Sequence, residues 1–327
     1  MSFFLLFFVF STVQKMEHNS TYKKQPTHQK ENGELNNNTN PSVLAYFTAV
    51  RPWSFSASMT PVILGNALTY RELGSINITL FLLTVLCVVS IHCAGNLTNT
   101  YFDYHNGVDQ HASEDQTLVK KILKSDDIYK MSILAYLVGC ISFVSIFLLC
   151  RATYSVLVTL FLIGVSGSFF YTGSIALKYH GCGDVTIVLL FGPLCVLSAY
   201  VVQAGVMSWQ AVLYSLPLVF HTEAILHANN SRDREDDRRA GIMTLAIVMG
   251  EDNCHFLFTL LLFVPYLCVV VLSVLWSIYF LLPLLSVKIA VDLEKKFRLK
   301  NWSNLTQETA KLNLIFGLLY ISAFALT

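Results

Sequence analysis

Long apolar stretches alternate with short polar connections along most of this chain. The apolar stretches run near Phe55–Tyr70, Ile78–Tyr101, Ile128–Leu149, Tyr154–Tyr171 and Val185–Val202, then Trp209–Ala228, Cys254–Leu272, Val274–Ile289 and Leu312–Leu326. A helix needs roughly 20 mostly apolar residues to cross a bilayer, so the pattern predicts an all-α, polytopic transmembrane bundle of about nine helices. The region Leu257–Ile289 can be divided in more than one way. Ahead of the first stretch the pattern changes. Met1–Phe10 is apolar but too short to span and has no basic start, which argues against a signal peptide. It suits an interfacial segment, unless Met16 is the true start. Gln14 to Asn40 is polar and rich in Asn, Lys and Gln, so residues 1–45 read as a disordered tail. Residues 46–327 read as one membrane domain, entered at Arg51-Pro52-Trp53, with Trp at the interface and Pro suited to a first helical turn.

Composition agrees with the pattern. Hydrophobic residues make up 54% of the chain and charged ones 13%, which excludes an ordinary soluble domain. With nine crossings, Arg71 and Arg151 are the only basic residues on one side. All other Lys and Arg fall on the side of the amino terminus, which the positive-inside rule makes cytoplasmic. The formal charge of +1 and the lack of a basic stripe give no reason to expect nucleic-acid binding. The eight cysteines are dispersed, mostly in apolar stretches without Cys-x-x-Cys spacing. They read as buried small hydrophobes rather than a zinc or disulfide framework.

Two polar clusters break the pattern, each at the cytoplasmic end of an apolar stretch. The first is Asn96-Leu-Thr-Asn99-Thr-Tyr-Phe-Asp103, continuing to Asp109. The second is Asn229-Asn230-Ser-Arg232-Asp233-Arg-Glu-Asp-Asp237. On a helix Asn99 and Asp103 share a face, as do Asn229, Asp233 and Asp237. Carboxylates at a membrane helix end are costly to desolvate and usually face a wet, functional cavity. Hard oxygen ligands in two sets suit Mg²⁺ shared with a phosphate-bearing substrate. Asp103 and Asp109 could hold one ion and Asp233 and Asp237 another, with Asn96, Asn99 and Asn229 or Asn230 completing the shells. Arg232, Lys178, Arg51 and Lys120 or Lys121 could bind the remaining phosphate oxygens. Taken alone, Arg232–Arg239 also reads as a charged loop with internal ion pairs. Repetition of the Asn-led spacing on one side of the membrane favours the metal–phosphate reading. His221, Glu223 and His227 share helical spacing and either line a cavity floor or pair with one another. His92 reads as core, and Gly181 and Gly183 as a tight turn.

The stretches RPWSFSASMTPVILG (Arg51–Gly65), NLTNTYFD (Asn96–Asp103), YTGSIALKY (Tyr171–Tyr179), FGPL (Phe191–Leu194) and TEAILHANNSRDREDDRRAGIMTLAIVMG (Thr222–Gly250) resemble the UbiA-type membrane prenyltransferases. The likeness is greatest to the animal branch that makes menaquinone-4 and runs from about Arg51 to the carboxyl end. It implies a central cavity open sideways to lipid and capped by cytoplasmic loops. It also implies Mg²⁺-dependent transfer of a prenyl group, geranylgeranyl by analogy, from its diphosphate to an aromatic quinol such as menadiol. Catalytic and metal-binding roles are implied for Asn99, Asp103, Asp233 and Asp237, and substrate contacts for Asn96, Lys178 and Tyr171. Other readings that stay open are 4-hydroxybenzoate or haem as acceptor, a transporter, and a non-catalytic isoprenoid- or sterol-sensing protein. Endoplasmic reticulum and Golgi membranes, or mitochondria, and a sterol-pathway enzyme partner are further implications. One departure stands out: Gln116 occupies a position where the animal branch has Arg, which shifts the loop's grip on diphosphate toward Lys120 and Lys121.

Overall fold

A computed structural model describes residues 42–109 and 117–327. The expected tail, apart from its last few residues, and Gln116 lie outside these. The chain is already helical at Val43, ahead of the expected domain start at residue 46. Helix α1 (Val43–Ala49) is capped by the Ser42 side chain, which accepts a bond from the Ala45 amide. A short 3₁₀ turn, Pro52–Phe55, leads into α2 (Ser56–Leu73). Helix α3 (Ile78–His105) starts at Asn77, whose side chain accepts from the Leu80 amide as an N-cap should. Then come α4 (Ser125–Leu149), α5 (Tyr154–Phe170), α6 (Gly183–Ala204) and α7 (Trp209–Arg239). Helix α8 (Leu245–Leu275) contains a break at Gly250, where φ is +76°. A 3₁₀ segment, Ile278–Ser286, continues as α9 (Val287–Arg298), and α10 (Leu305–Ala325) closes the bundle.

Five of these helices, α3, α4, α6, α7 and α8, are long and apolar enough to cross a membrane. Helix α5 is apolar but shorter. The chain is therefore an integral, multi-pass membrane protein, although fewer described helices meet both criteria than the nine crossings expected. The largest departure lies near the carboxyl end. The stretch expected as a span at Val274–Ile289 is instead a break after Leu275, then the 3₁₀ segment carrying Pro283, then α9 running on to Arg298. Proline lacks the amide that an α-helix needs at that point, so the tighter winding is the local solution.

Helix length positions the site. At 1.5 Å per residue, the 28 residues of α3 and the 31 of α7 measure roughly 42 and 46 Å. Both exceed a hydrocarbon core of about 30 Å by several turns. Their polar carboxyl-terminal turns, which carry the two Asn/Asp clusters, therefore extend beyond the apolar layer. The helices are held by close contact. Helix α2 packs on α6, α3 on α4, and α7 on both α8 and α10. At Gly192, inside a π-turn over Leu190–Leu194, an added Cβ would lie 1.9 Å from a methyl of Val219 on α7. At Gly65 it would lie 2.5 Å from the Val196 carbonyl oxygen on α6. Glycine is what lets these backbones approach so closely. Leu218, Phe258, Leu262, Phe316 and Tyr320 fill the interior between α7, α8 and α10.

Candidate functional site

One cavity of about 500 Å³ runs between α3, α5, α6 and α7. Its inner walls are apolar and include Phe143, Leu157, Phe161, Leu190, Leu194 and Val202. Its mouth is charged. The first cluster contributes Asn96, Asn99, Asp103 and Asp109, and the second Asn229, Asn230, Arg232, Asp233 and Asp237. Arg51, Tyr171 and Lys178 line the same space. Two clusters well over a hundred residues apart in sequence thus meet at one opening. Lys120 does not join them; it is exposed, on a turn outside the cavity lining.

On α3, the Asn99 amide donates to Asp103 Oδ2 at 2.8 Å. Lys178 Nζ donates to the same oxygen at 2.8 Å and lies 3.4 Å from Asn99 Oδ1. The Tyr179 hydroxyl donates to Asp103 Oδ1 at 2.6 Å, and Thr172 Oγ1 donates to Asn99 Oδ1 at 2.8 Å. On α7 the arrangement has a counterpart. Arg232 donates from Nε to Asp233 Oδ1 at 2.6 Å, and from a terminal nitrogen to Asp233 Oδ2 at 2.7 Å and Asn229 Oδ1 at 2.8 Å. Each Asn–Asp pair therefore closes its oxygens around one cation. Lys178 also feels Asp237 and Asp109, so it links the two arms electrostatically.

The loop that delivers Lys178 is shaped by unusual backbone. Ser174 and Ala176 have φ of 49° and 52°, a left-handed conformation that costs non-glycine residues. The loop is tied to the second cluster's helix end, because the Met243 amide donates to the Tyr179 carbonyl at 3.1 Å. Arg51, immediately before Pro52, is also left-handed at φ 55°. Its guanidinium reaches Thr100 Oγ1 at 3.3 Å, while Asn96 donates to the Val50 carbonyl and to Ser54 Oγ, both at 3.0 Å.

The donor set fits a hard divalent cation. Amide and carboxylate oxygens converge in pairs, and each pair already holds positive charge. Among the described residues no three acidic, His or Cys groups share one metal-sized site. An ion here would have to take its remaining ligands from Asn amides, water and the phosphate oxygens, as Mg²⁺ commonly does.

Several site residues were not singled out from the sequence. Thr172 and Tyr179 fall inside the YTGSIALKY stretch, whose Lys178 drew attention first. His92, expected as core, is buried and also lines the cavity, held by Ser58 Oγ at 2.9 Å and Ser54 Oγ at 3.3 Å, between the rings of Phe55 and Phe191. The signal was present, since residues 92, 96, 99 and 103 repeat at helical spacing on one face. His221 and His227 do not line the cavity. Their Nε2 atoms face the carbonyls of Leu262 and Cys254 on α8.

Residues 58–316 match the UbiA prenyltransferase family. Relatives called UbiA prenyltransferase domain-containing protein 1 align across most of the chain. That of Gallus gallus is 46% identical over 85% of this chain and 83% of its own. That of Homo sapiens is 44% identical over 85% and 82%, and the homolog from Drosophila melanogaster 44% over 85% and 78%. Among solved structures, the apo UbiA homolog from Aeropyrum pernix superposes with a TM-score of 0.62 at 13% identity, over 84% of this chain and 98% of its own. The Archaeoglobus fulgidus UbiA homolog bound to DMAPP and Mg²⁺ gives 0.54 at 10% identity, over 85% and 99%.

Proposed function

The chain belongs to the UbiA prenyltransferase family, and on that premise we propose that it transfers a geranylgeranyl group from its diphosphate to a naphthoquinol such as menadiol, giving menaquinone-4. The observation that carries this reading is the meeting of two Asn/Asp arms and three basic side chains at the mouth of one apolar cavity. The mouth suits a diphosphate and the walls suit an isoprenoid chain. The protein of that name in vertebrates and its homolog in the fly align over 85% of the chain, which favours an acceptor common to that group. The active site faces the cytoplasm in this reading, in endoplasmic reticulum and Golgi membranes, as the distribution of basic residues and the family resemblance imply.

Asn99, Asp103, Asn229, Asp233 and Asp237 would hold Mg²⁺, with Asp109 completing the first arm. When bound, the metal supplies charge neutralisation at the departing diphosphate. Lys178, Arg232 and Arg51 add fixed positive charge to its outer oxygens, which favours ionisation of the C–O bond. The chain's apolar walls keep water from the allylic cation. Phe143 and Phe161, stacked with centroids 3.9 Å apart, line the inner end of the cavity, where they suit the far part of the prenyl chain. The acceptor ring then attacks C1 of the prenyl group and loses its proton to regain aromaticity. A transporter reading is less favoured, because its carboxylates would sit in broken helices near the midplane, whereas these lie at helix ends.

The test is purified protein in detergent with Mg²⁺, geranylgeranyl diphosphate and menadiol. Chromatography should show menaquinone-4. Preferential prenylation of 4-hydroxybenzoate in the same assay would move the chain to another acceptor class, and no prenylated product with any acceptor would remove the catalytic reading.

A further inference from the structure

Behind the cavity wall lies a second polar seam that the transfer chemistry above does not use. Asp184, in the first turn of α6, and Glu223, on α7, are both buried and lie within electrostatic reach of each other. Glu223, His227 and Ser231 follow at four-residue spacing down a face of α7 beside the one that lines the cavity. Their exposures are 5%, 0% and 7%. Both oxygens of Glu223, one of Asp184, Nδ1 of His227 and Oγ of Ser231 make no hydrogen bond of normal geometry, and these are five of the ten such buried side-chain atoms among the described residues. Buried polar atoms are rarely left without partners, and a row of them is the kind of place that holds ordered water.

The seam has an entrance and an exit. At the cavity end stands Tyr171, a cavity-lining residue whose ring and hydroxyl pack against Gly183, next to Asp184. Asp184 and Glu223 are the charges that act on it most strongly. At the other end Ser231 lines a separate polar cavity of about 410 Å³, with Arg234, Glu251, His255 and Lys300 around it. His227 lies between, within electrostatic reach of Asp184.

We propose that Tyr171, Asp184, Glu223, His227 and Ser231 form the route by which the proton displaced from the acceptor leaves the active site. The inference rests on the prenyl-transfer reading, but not on the identity of the acceptor. Transfer breaks the bond between C1 of the prenyl group and the diphosphate oxygen, and the electron pair leaves with diphosphate. A bond forms between C1 and the acceptor atom, whose bond to hydrogen breaks and returns its electrons to the acceptor. The freed proton passes to the Tyr171 hydroxyl as that hydroxyl gives its own proton, through water held in the seam, to a carboxylate of the Asp184–Glu223 pair. It then moves past His227 and Ser231 to the second cavity. Among the described cavity-lining residues, His92 has both ring nitrogens engaged by Ser58 and Ser54, and the carboxylates at the mouth face the diphosphate.

The test is steady-state kinetics of Glu223→Gln, Asp184→Asn and Tyr171→Phe in detergent with Mg²⁺, prenyl diphosphate and acceptor, measuring prenylated product and hydrolysed prenyl alcohol together. Loss of a proton acceptor should lower kcat about tenfold or more in each variant. KM for the prenyl diphosphate should stay within about twofold in Glu223→Gln and Asp184→Asn, because neither residue lines the cavity. The share of prenyl alcohol should rise, since ionisation continues while acceptor deprotonation is slow, and Glu223→Asp should recover more kcat than Glu223→Gln. Unchanged kcat in Glu223→Gln, or a loss matched by an equal rise in KM, would overturn the route. If the Glu223 variants fail to fold, Tyr171→Phe decides alone: it removes one hydroxyl, and wild-type kcat with a wild-type product ratio would overturn the route. Wild-type protein that prenylates nothing would instead remove the function on which the route rests.

Discussion

Lys178 closes the first acidic arm and is drawn electrostatically to the second. Burial alone would lower its pKa, but Asp103, and behind it Asp237 and Asp109, more than offset that and hold it above the ordinary lysine value. The sign follows directly. A lysine raised on folding gives its full stabilisation below the ordinary lysine range near pH 10.4 and loses it only as pH rises through the higher folded value. KM for prenyl diphosphate should therefore show no Lys178 titration between about pH 7.5 and 9; a steep rise in KM within that interval would show that Lys178 is not held as described. Substitution has larger effects. Asp103→Ala leaves a buried ammonium without its partner (the side chains are 12% and 4% exposed), and breaking such a pair typically costs about 3–5 kcal/mol. Asp103→Asn also removes the charge but keeps the volume and one acceptor oxygen, so it should cost less stability than Asp103→Ala while turnover falls by about a hundredfold or more. Thermal unfolding and product formation, measured on both variants, separate the two effects. Arg232→Met should lower kcat and kcat/KM for the prenyl diphosphate together, by about tenfold or more in steady-state kinetics, as expected for a charge that acts most strongly on the diphosphate as it departs.

At the scale of the element, the site is a consequence of how α6 and α7 approach. The π-turn at Leu190–Leu194 brings Gly192 against Val219, leaving no room for a methyl group. Gly192→Ala should therefore push α6 off α7, open the wall that separates cavity from seam, and lower the thermal midpoint by several degrees, as an overpacking cost of roughly 1–3 kcal/mol implies. Gly164→Ala is the control, since its Cβ would meet only Leu194 at an ordinary 3.6 Å. Equal midpoints for the two variants would show that the contact does not bear on stability. The amphipathic α9 and its 3₁₀ lead-in were the part least legible from sequence. Apolar runs of that length look alike whether they wind as α or 3₁₀, and only Pro283 marked the difference. Helices α3, α4 and α5, with long runs and clear polar flanks, formed close to where the pattern put them.

For the whole molecule, the division between what the sequence made legible and what it did not follows from how far each signal reaches. Spacing along one helix exposed Asn99 with Asp103, and Asn229 with Asp233, because helical neighbours are close in sequence. The partners that complete the site come from elsewhere in the chain. Tyr179 and Thr172 reach Asp103 and Asn99 from a loop more than seventy residues away, and no periodicity announces them. His92 shares a helical face with Asn96, Asn99 and Asp103, but the apolar residues around it make it read as core. Asp184 and Glu223 meet only because α6 and α7 pack. At this scale the proposed metal dependence is also testable. Chelation with EDTA should abolish prenyl transfer, and Mg²⁺ should restore it, since the oxygens of Asp103 and Asp233 repel an unneutralised diphosphate. Full activity in excess chelator would exclude the metal role of both clusters.

The most direct measurement is a structure of the protein with Mg²⁺ and a non-cleavable geranylgeranyl diphosphate analogue. Both phosphates should lie between the carboxyl-terminal turns of α3 and α7, in reach of Lys178 and Arg232, with the tail running among Phe143, Leu157 and Leu190. A diphosphate bound instead in the polar cavity beside Ser231 and Lys300, or held by only one of the two helices, would contradict the shared grip on which the account is built.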